Sequence, residues 1–216
     1  MDPIARAMIM GAAGAEGLLP VGESHEGGFI AGYISSSANG VATHGLIVAP
    51  AASGYNGQTT LQWKSSASSS GATSDFDGAA NTSTIANASH AAANYCANLS
   101  IGGYTDWYLP ARLELEIAYF NLKPGTTANT TAWGANSYAV PARASNYTTG
   151  NPAQTTVTDF QSSGSEDFAA DWHWTSTENS GDPLSAYIFN FDDGTQSGGQ
   201  SKTKSRLVRA FRKFSV

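Results

Sequence analysis

The first clear pattern of apolar and polar positions in the chain predicts a β-hairpin. Phe29, Ala31 and Tyr33 form one side of an alternating pattern over positions 29–34, with the two-residue period of a strand. Asn39-Gly40 is a strong hairpin turn, and an apolar run at 46–48 follows it. We therefore expect residues 29–34 and 46–48 to pair as neighbouring strands.

Apolar residues spaced three and four apart predict a first helix over residues 85–99. The row consists of Ile85, Ala88, Ala92, Cys96 and Leu99. A Thr or Ser at 82–84 is available as its N-cap, and Gly102-Gly103 as its end. Residues 65–81 before it carry no apolar period, so a surface loop is expected there.

A second helix is predicted from Pro110 to Leu122, where Lys123-Pro124-Gly125 ends it. Pro110 fits the first helical turn, since its missing N–H costs nothing there. Two adjacent apolar rows run along this segment, formed by Leu113, Ile117 and Phe120 and by Leu115, Tyr119 and Leu122. We expect this helix to be largely buried and to serve packing rather than binding.

The second half of the chain predicts a long polar segment followed by strands. Residues 126–171 are rich in Thr, Asn and Ser and lack strong periodicity, which leaves short strands or a functional excursion open. Residues 172–178, 186–191 and 204–214 predict successive antiparallel strands, with a turn at 192–194. Two helices with several short strands indicate an α+β fold.

Composition and charge narrow the classes of function. Only 13% of the residues are charged, so most polar surface consists of hydroxyl and amide groups, which suits a loop-rich extracellular or virion protein. The net charge of -6 argues against a general affinity for nucleic acid. Cys96 is the single cysteine, which excludes an intramolecular disulfide and a cysteine-rich zinc site. No apolar stretch is long enough to predict a membrane span.

Residues 1–20 are small, apolar and glycine-rich. Asp2 and Pro3 precede Arg6 and the apolar run is short, so we treat the segment as part of the mature chain rather than as a signal peptide. Its apolar side chains need a partner in order to leave water. We expect residues 1–20 to be an arm that docks on a partner protein, and residues 21–216 to be one domain.

Three motifs, in order along the chain, resemble those of the Lcl C-terminal domain family, which occurs in phage tail proteins and bacterial surface proteins. The motifs are Gly102–Leu115, with Asp-Trp and Leu-Pro pairs inside it, Trp174–Glu178, and Leu207–Arg212. The likeness spans roughly residues 22–214. It implies a C-type-lectin-like fold, akin to that of formylglycine-generating enzymes, with two helices packed on small antiparallel sheets and many loops.

The resemblance also implies scaffold roles for residues of these motifs. They are Trp107, Pro110, Arg112, Glu114, Trp174, Glu178 and Arg209. The two tryptophans are expected in the core, and the charged residues are expected to tie the second helix to the strands through buried or half-buried polar pairs. Removing one member of such a pair costs about 3–5 kcal/mol, because the other charge stays buried without its partner.

The function that the resemblance implies is that of a virion protein with no chemistry of its own. We expect a component of a phage tail fibre, tail tip or capsid surface that recognises the host, contacts other virion proteins through residues 1–20 and forms a homo-oligomer. A decoration or cementing protein with no host ligand is the alternative. An enzyme ranks third, since a single cysteine excludes the chemistry of formylglycine-generating enzymes and the common catalytic motifs are absent from the sequence.

Candidate ligand-binding residues lie around the second motif. They are Trp172, His173, Asn179, Asp182 and Tyr187. Aromatic faces stack on sugars and anchor protein interfaces, so a host glycan or envelope protein is the expected ligand, unless Trp172 and Tyr187 simply pack against the sheet. No cofactor or metal is expected. Calcium is the one candidate, through oxygen ligands at Glu178, Asn179, Asp182 and Asp192-Asp193, although a hairpin turn also explains the last pair.

Overall fold

Short helices lie against small antiparallel sheets in the part of the chain that the structure describes. The computed structural model describes residues 17–56 and 60–216. Its strands are β1 (Ser24–His25), β2 (Gly28–Ile34), β3 (His44–Val48), β4 (Leu61–Gln62), β5 (Ala139–Val140), β6 (Trp172–Glu178), β7 (Ser185–Asn190), β8 (Gln196–Ser201), β9 (Ser205–Arg206) and β10 (Phe211–Ser215). Its helices are α1 (Ala51–Gly54), α2 (Gly78–Ile85), α3 (Ala91–Ala97) and α4 (Arg112–Leu122), with a 3-10 helix at Thr158–Phe160. The predicted α+β class is confirmed, and the C-type-lectin-like topology stays a prediction.

The predicted hairpin is confirmed, and it forms the centre of a five-stranded antiparallel sheet. The order is β1-β2-β3-β10, and β5 pairs with β2 off this path. Phe29 lies opposite Val48, and the register shifts between Ile30 and Gly32. Gly32 has a φ of +143°, and a Cβ there would lie 2.6 Å from Cγ2 of Ile117 in α4. A glycine at this position therefore lets α4 lie directly on the sheet.

Helix α4 is the largely buried helix that the sequence predicted, and it contacts β2, β6 and β7. It begins at Arg112 rather than in the turn of Pro110, because Ala111 adopts an extended conformation as N-cap. Glu114 accepts a hydrogen bond from the Ala111 N–H at 2.8 Å, which caps the first turn. Pro110 lies before the helix, and its carbonyl oxygen accepts from the Ser176 N–H at 2.8 Å.

The predicted single helix over residues 85–99 is wrong, since two helices occupy this region. Helix α2 begins earlier, with Asp77 as its N-cap, so the surface loop expected over 65–81 ends before α2. Between α2 and α3 the Asn87 side chain accepts from the Ser89 N–H at 3.1 Å, which favours a turn over a continued helix. Both helices nevertheless contribute buried residues to one core cluster. The predicted apolar row is therefore correct about the burial of Ile85, Ala92 and Cys96, but Ala88 is exposed and the helix is not continuous.

The strands near the end of the chain form a three-stranded antiparallel sheet in the order β6-β7-β8. The strands predicted over 172–178 and 186–191 are confirmed as β6 and β7, within a residue at each end. Strand β8 was not predicted, because it contains no large apolar residue. The single strand expected over 204–214 is wrong, since this segment is divided between β9, which pairs with β4, and β10, which pairs with β3.

Residues 17–20, the described part of the expected docking arm, lie against the domain. Leu18 and Leu19 pack against the core, and the Tyr33 hydroxyl donates to the Leu19 carbonyl oxygen at 2.8 Å. The remainder of the expected arm, residues 1–16, lies outside the described residues. Within the two described ranges, no helix has the length and apolar character needed to cross a membrane.

Candidate functional site

His173, one of the expected ligand-binding residues, lies inside the protein with 1% of its surface exposed. The Tyr55 hydroxyl donates to its Nε2 at 2.9 Å, and its Nδ1 donates to the Asp171 carbonyl oxygen at 3.0 Å. Burial lowers the pKa of His173 to about 3, so the ring is neutral near pH 7. The expectation that His173 contacts a ligand is wrong, because both ring nitrogens have partners within the protein.

Trp172, Asn179 and Asp182 support β6 and the turn that follows it. Trp172 is half-buried against the core. Asn179 donates through Nδ2 to the Gly198 carbonyl oxygen at 3.0 Å, and Asp182 accepts from the Ser185 hydroxyl at 2.7 Å. Such side-chain bonds are typical of turns. The structure therefore accounts for these three residues without a ligand.

Tyr187 and Asn179 meet at Gly198. A Cβ on Gly198 would lie 2.8 Å from Cζ of Tyr187, so the half-buried ring lies against the bare backbone of β8. The guanidinium carbon of Arg112 lies 5.2 Å from the ring centroid. We call Arg112, Asn179, Tyr187 and Gly198 the Tyr187 surface. The length of β6 separates Trp172 from Asn179, so the five expected ligand residues do not form one site.

The expected scaffold residues lie in or against the core. Trp107 and Trp174 are 2% and 0% exposed. Arg112 donates to both carboxylate oxygens of Asp75, at 2.6 and 2.8 Å, and so ties α4 to the loop before α2; it also donates to the Gln196 side chain of β8 at 3.3 Å. Arg209 is buried and donates to three backbone carbonyl groups and one carboxylate. These contacts satisfy the polar groups that the fold buries.

Glu114 and Glu178 are both buried, but their partners differ. Glu178 forms an ion pair with the fully buried Lys202. Glu114 accepts from the Tyr108 hydroxyl at 2.9 Å and from two backbone N–H groups, and burial raises its pKa to about 7. Glu178 was a candidate calcium ligand, and in the structure its carboxylate binds the ammonium group of Lys202 instead. Among residues 17–56 and 60–216, no three His, Cys, Asp or Glu side chains are grouped to hold a metal ion.

One serine and one histidine form an arrangement that the sequence did not indicate, since 20 positions separate them. The Ser70 hydroxyl lies 2.9 Å from Nε2 of His90, whose Nδ1 lies 3.0 Å from Oδ1 of Asn87. A nucleophilic serine also needs free N–H groups to stabilise an oxyanion. Here the N–H groups of Ser70 and Gly71 both donate to Glu178. The arrangement organises its loop and lacks this part of a catalytic site.

Phe120 lies half-buried between two open depressions, although the sequence placed it in a buried row. The first has a volume of 290 Å³ and is lined by Phe120, Asn121 and residues 151–157, among others. The second has a volume of 340 Å³ and is lined by Phe120, Asn151 and residues 143–148. We call Phe120, Asn121 and residues 143–148 and 151–157 the Phe120 surface. Phe120 and Asn151 line both depressions, so the two adjoin.

A buried carboxylate of α4 holds one side of the Phe120 surface. Glu116 is 0% exposed and accepts hydrogen bonds from the Tyr147 hydroxyl at 2.6 Å, from Asn136 and from Arg143. Burial raises the pKa of Glu116, and the positive charge of Arg143 opposes this shift. The guanidinium carbon of Arg143 also lies 4.2 Å from the centroid of the Phe120 ring. The loop is thus tied to the helix at several points.

A second buried cluster holds the other side. Lys123, which is 2% exposed, donates to Oδ1 of Asn129 at 2.7 Å and to the Thr127 carbonyl oxygen at 2.5 Å. The Tyr119 hydroxyl donates to the same Oδ1 at 2.6 Å, and Nδ2 of Asn129 donates to the Pro152 carbonyl oxygen at 2.9 Å. Side chains therefore satisfy backbone groups that helices or strands would otherwise pair. Sequence reasoning missed both clusters.

Comparison with known proteins identifies the family. No curated protein matches the chain. The model of the family described as the Lcl C-terminal domain matches residues 55–212, well over half of the chain. The matched range includes the Tyr187 surface and the Phe120 surface, and it confirms the resemblance carried by the three motifs. The chain therefore belongs to the Lcl C-terminal domain family.

Proposed function

We propose that the chain is a recognition domain on the surface of a phage virion, in a tail fibre, tail tip or capsid. It binds a host-surface glycan or envelope protein and performs no chemistry of its own. Membership of the Lcl C-terminal domain family supports this proposal, together with the resemblance of the motifs to those of phage tail proteins. The structural observation that carries it is the Phe120 surface.

The Phe120 surface supports recognition because it is concave, carries both polar and apolar groups, and is held in place before binding. Residues 143–157 contain no helix or strand. Glu116 and Lys123 nevertheless tie this loop to α4 and to the segment that follows α4, the latter through the Thr155 N–H, which donates to the Lys123 carbonyl oxygen at 2.9 Å. A loop that is already ordered loses little conformational entropy when it binds. Loops placed on a rigid scaffold are also common binding sites.

The buried charges support a role without catalysis, because they serve the fold. Glu178 pairs with Lys202, and Arg209 pairs with Glu166. Ser70 is the serine best placed for activation by a histidine, and the oxyanion donors beside it already bind a carboxylate. A carboxylate in that position repels the negative charge that an acyl-transfer reaction develops.

The proposed contact with other virion proteins is made by residues 1–20. Leu18 and Leu19, at the end of the proposed arm of residues 1–20, are half-buried and also pack on the core of the domain. The proposal includes a homo-oligomer and no cofactor. In this proposal the domain of each copy faces outward from the particle, so the Phe120 surface is accessible to the host.

The test measures binding of the full-length protein and two variants to host cells and to particles that lack the protein. Asn151→Arg places a bulky charge on the Phe120 surface, and Ser180→Arg places the same charge on an exposed turn beside the Tyr187 surface. We expect saturable cell binding by the wild type and by Ser180→Arg. Binding by Asn151→Arg should be roughly tenfold weaker or worse. All three proteins should join particles.

Other outcomes contradict parts of this proposal. If Ser180→Arg alone loses cell binding, the binding site is the Tyr187 surface. If no protein binds cells, while all three join particles and protect them from heat, the chain is a decoration protein without a host ligand. Turnover of a substrate by the wild type would show that the domain is an enzyme.

A further inference from the structure

We infer that the Phe120 surface binds an uncharged oligosaccharide directly, without a bridging metal ion. This inference rests on the proposed function, since it names the ligand class for the same surface. It is carried by the charge, the hydrogen-bonding groups and the shape of the two adjoining depressions.

The charge of the lining argues for an uncharged ligand. Of the described residues that line the two depressions, Arg143 alone is charged. Its guanidinium group is bound to the carboxylate of Glu116, donates to the Gly134 carbonyl oxygen at 3.3 Å and lies over the Phe120 ring. Only 14% of its side chain is exposed. A charged ligand would therefore meet no free opposite charge to replace the water that it loses.

The polar groups of the lining match the hydroxyl groups of a sugar. The lining side chains that carry amides or hydroxyls are Asn121, Ser145, Asn146, Tyr147, Thr148, Asn151, Gln154, Thr155 and Thr156. The amides of Asn121, Asn146 and Gln154 donate to backbone carbonyl oxygens, and the Tyr147 hydroxyl donates to Glu116. Amide and hydroxyl groups both donate and accept hydrogen bonds, as sugar hydroxyls do. The Asn151 N–H donates to Oγ1 of Thr148 at 3.1 Å, while its exposed carboxamide forms no hydrogen bond within the described residues. Asn151 is therefore the polar side chain best placed to contact a ligand.

The shape of the surface argues for a ligand longer than one sugar ring. Asn151 and Phe120 line both depressions, so a chain that lies across them fills the two together. Their volumes of 290 and 340 Å³ together fall within the range of about 300–1,000 Å³ that is usual for ligand sites. The partly exposed Phe120 at the junction offers an apolar contact for the face of a ring.

The experiment measures binding of the full-length protein to an array of immobilised oligosaccharides. The uncharged set contains maltohexaose, mannohexaose, chitohexaose and galactan fragments, and the charged set contains hexagalacturonate and sulfated oligosaccharides. Asn151→Ala is compared with the wild type, and Asn98→Ala is the matched control at an exposed asparagine outside the Phe120 surface. Every measurement is repeated in the presence of EDTA.

We expect at least one uncharged oligosaccharide to bind, with affinity roughly tenfold lower for Asn151→Ala and unchanged for Asn98→Ala. EDTA should leave the affinity unchanged. The inference is overturned if only the charged set binds, if no uncharged oligosaccharide binds, if EDTA abolishes binding, or if Asn151→Ala binds as the wild type does.

A second readout separates this inference from the proposed function. Host-cell binding is measured with and without a saturating amount of the uncharged oligosaccharide that binds best on the array. Cell binding that this sugar displaces supports both conclusions. Cell binding that it does not displace leaves host recognition standing and overturns the ligand class. Sugar binding that depends on Asn151, with no binding to host cells, supports the ligand class and contradicts host recognition.

Discussion

The Tyr187 surface and the Phe120 surface both combine an aromatic ring with polar groups, but they are built in different ways. The Tyr187 surface lies on a β-sheet, where the ring covers Gly198 and the polar side chains close a turn. The Phe120 surface lies on a loop without helices or strands, and its form comes from side chains anchored in the core. The aromatic residues of strands β6 and β7 are mostly buried. The open concave surface is formed instead by the polar loop of residues 143–157.

The largest expected effect comes from removing the anchor of the Phe120 surface. Glu116→Ala leaves the Arg143 guanidinium group and the Tyr147 hydroxyl without their buried partner. We expect the free energy of unfolding to fall by about 3–5 kcal/mol, together with a loss of ligand binding at temperatures where the variant is still folded. Urea unfolding and binding assays check this. A loss below about 1 kcal/mol would show that Glu116 does not anchor the loop.

The matched change near the Tyr187 surface sharpens the comparison. Glu178→Ala leaves Lys202 buried without its carboxylate partner, so we expect a similar loss of about 3–5 kcal/mol in urea unfolding. Binding by the folded variant should stay at the wild-type level, because the ion pair does not line the Phe120 surface. If Glu178→Ala binds the ligand more weakly than Glu116→Ala does, the ligand-binding site is at the Tyr187 surface and not at the Phe120 surface.

The next effect depends on pH. His173 has an ordinary pKa of 6.5 that burial lowers to about 3, so the unfolded chain binds one more proton than the folded one between these values. Its stabilising contribution is present above pH 6.5 and falls by about 1.4 kcal/mol per pH unit as the pH decreases toward 3. Unfolding in urea from pH 4.5 to 6.5 should show this slope as a difference between the wild type and His173→Gln.

Glu114 is the internal reference for that measurement. Its pKa is raised to about 7, so its contribution is present below its ordinary pKa of 4.5 and is lost as the pH rises through about 7. The free energy of unfolding therefore changes with pH in the opposite direction for Glu114 and for His173. The contribution of Glu114 is the same in the wild type and in His173→Gln, so it cancels when the two are compared. Equal pH slopes for the wild type and His173→Gln would show that His173 is not held neutral in the core.

The smallest expected effect is at the turn of the Tyr187 surface. Asp182→Ala removes hydrogen bonds from the Ser185 hydroxyl and from the Leu184 N–H. Because Asp182 is partly exposed, we expect a loss of about 0.5–1.5 kcal/mol in unfolding free energy and no change in cell binding. Abolished cell binding would restore Asp182 as a ligand residue.

Local patterns predicted the elements that have strong periods. Strands β2, β3, β6 and β7 and helix α4 follow alternation or helical spacing in the sequence. The first helix was predicted as one element because its buried residues keep their spacing across a turn formed by Asn87. Strand β8 has no apolar pattern, since its pairing with β7 depends on backbone hydrogen bonds rather than on buried side chains.

The error at His173 has a physical cause. Its ring lies 4.9 Å from that of Phe191 and 5.7 Å from that of Phe168, while the neighbouring Trp174 is buried in another core cluster. Both faces of β6 are therefore covered. A run of aromatic residues shows that a strand is apolar, and it does not show whether one face or both are covered.

The sequence by itself determined the family, the α+β class, the buried helix α4 and the burial of Trp107 and Trp174. The family and the burial of the two tryptophans follow from short motifs. The α+β class and the burial of α4 follow from the spacing of apolar residues within single helices and strands. Only the tertiary structure decided which surface is open. The partners of Glu116 lie 20 to 31 positions away along the chain, and no local period relates them. Burial of that carboxylate requires these donors to converge, and their convergence shapes the Phe120 surface.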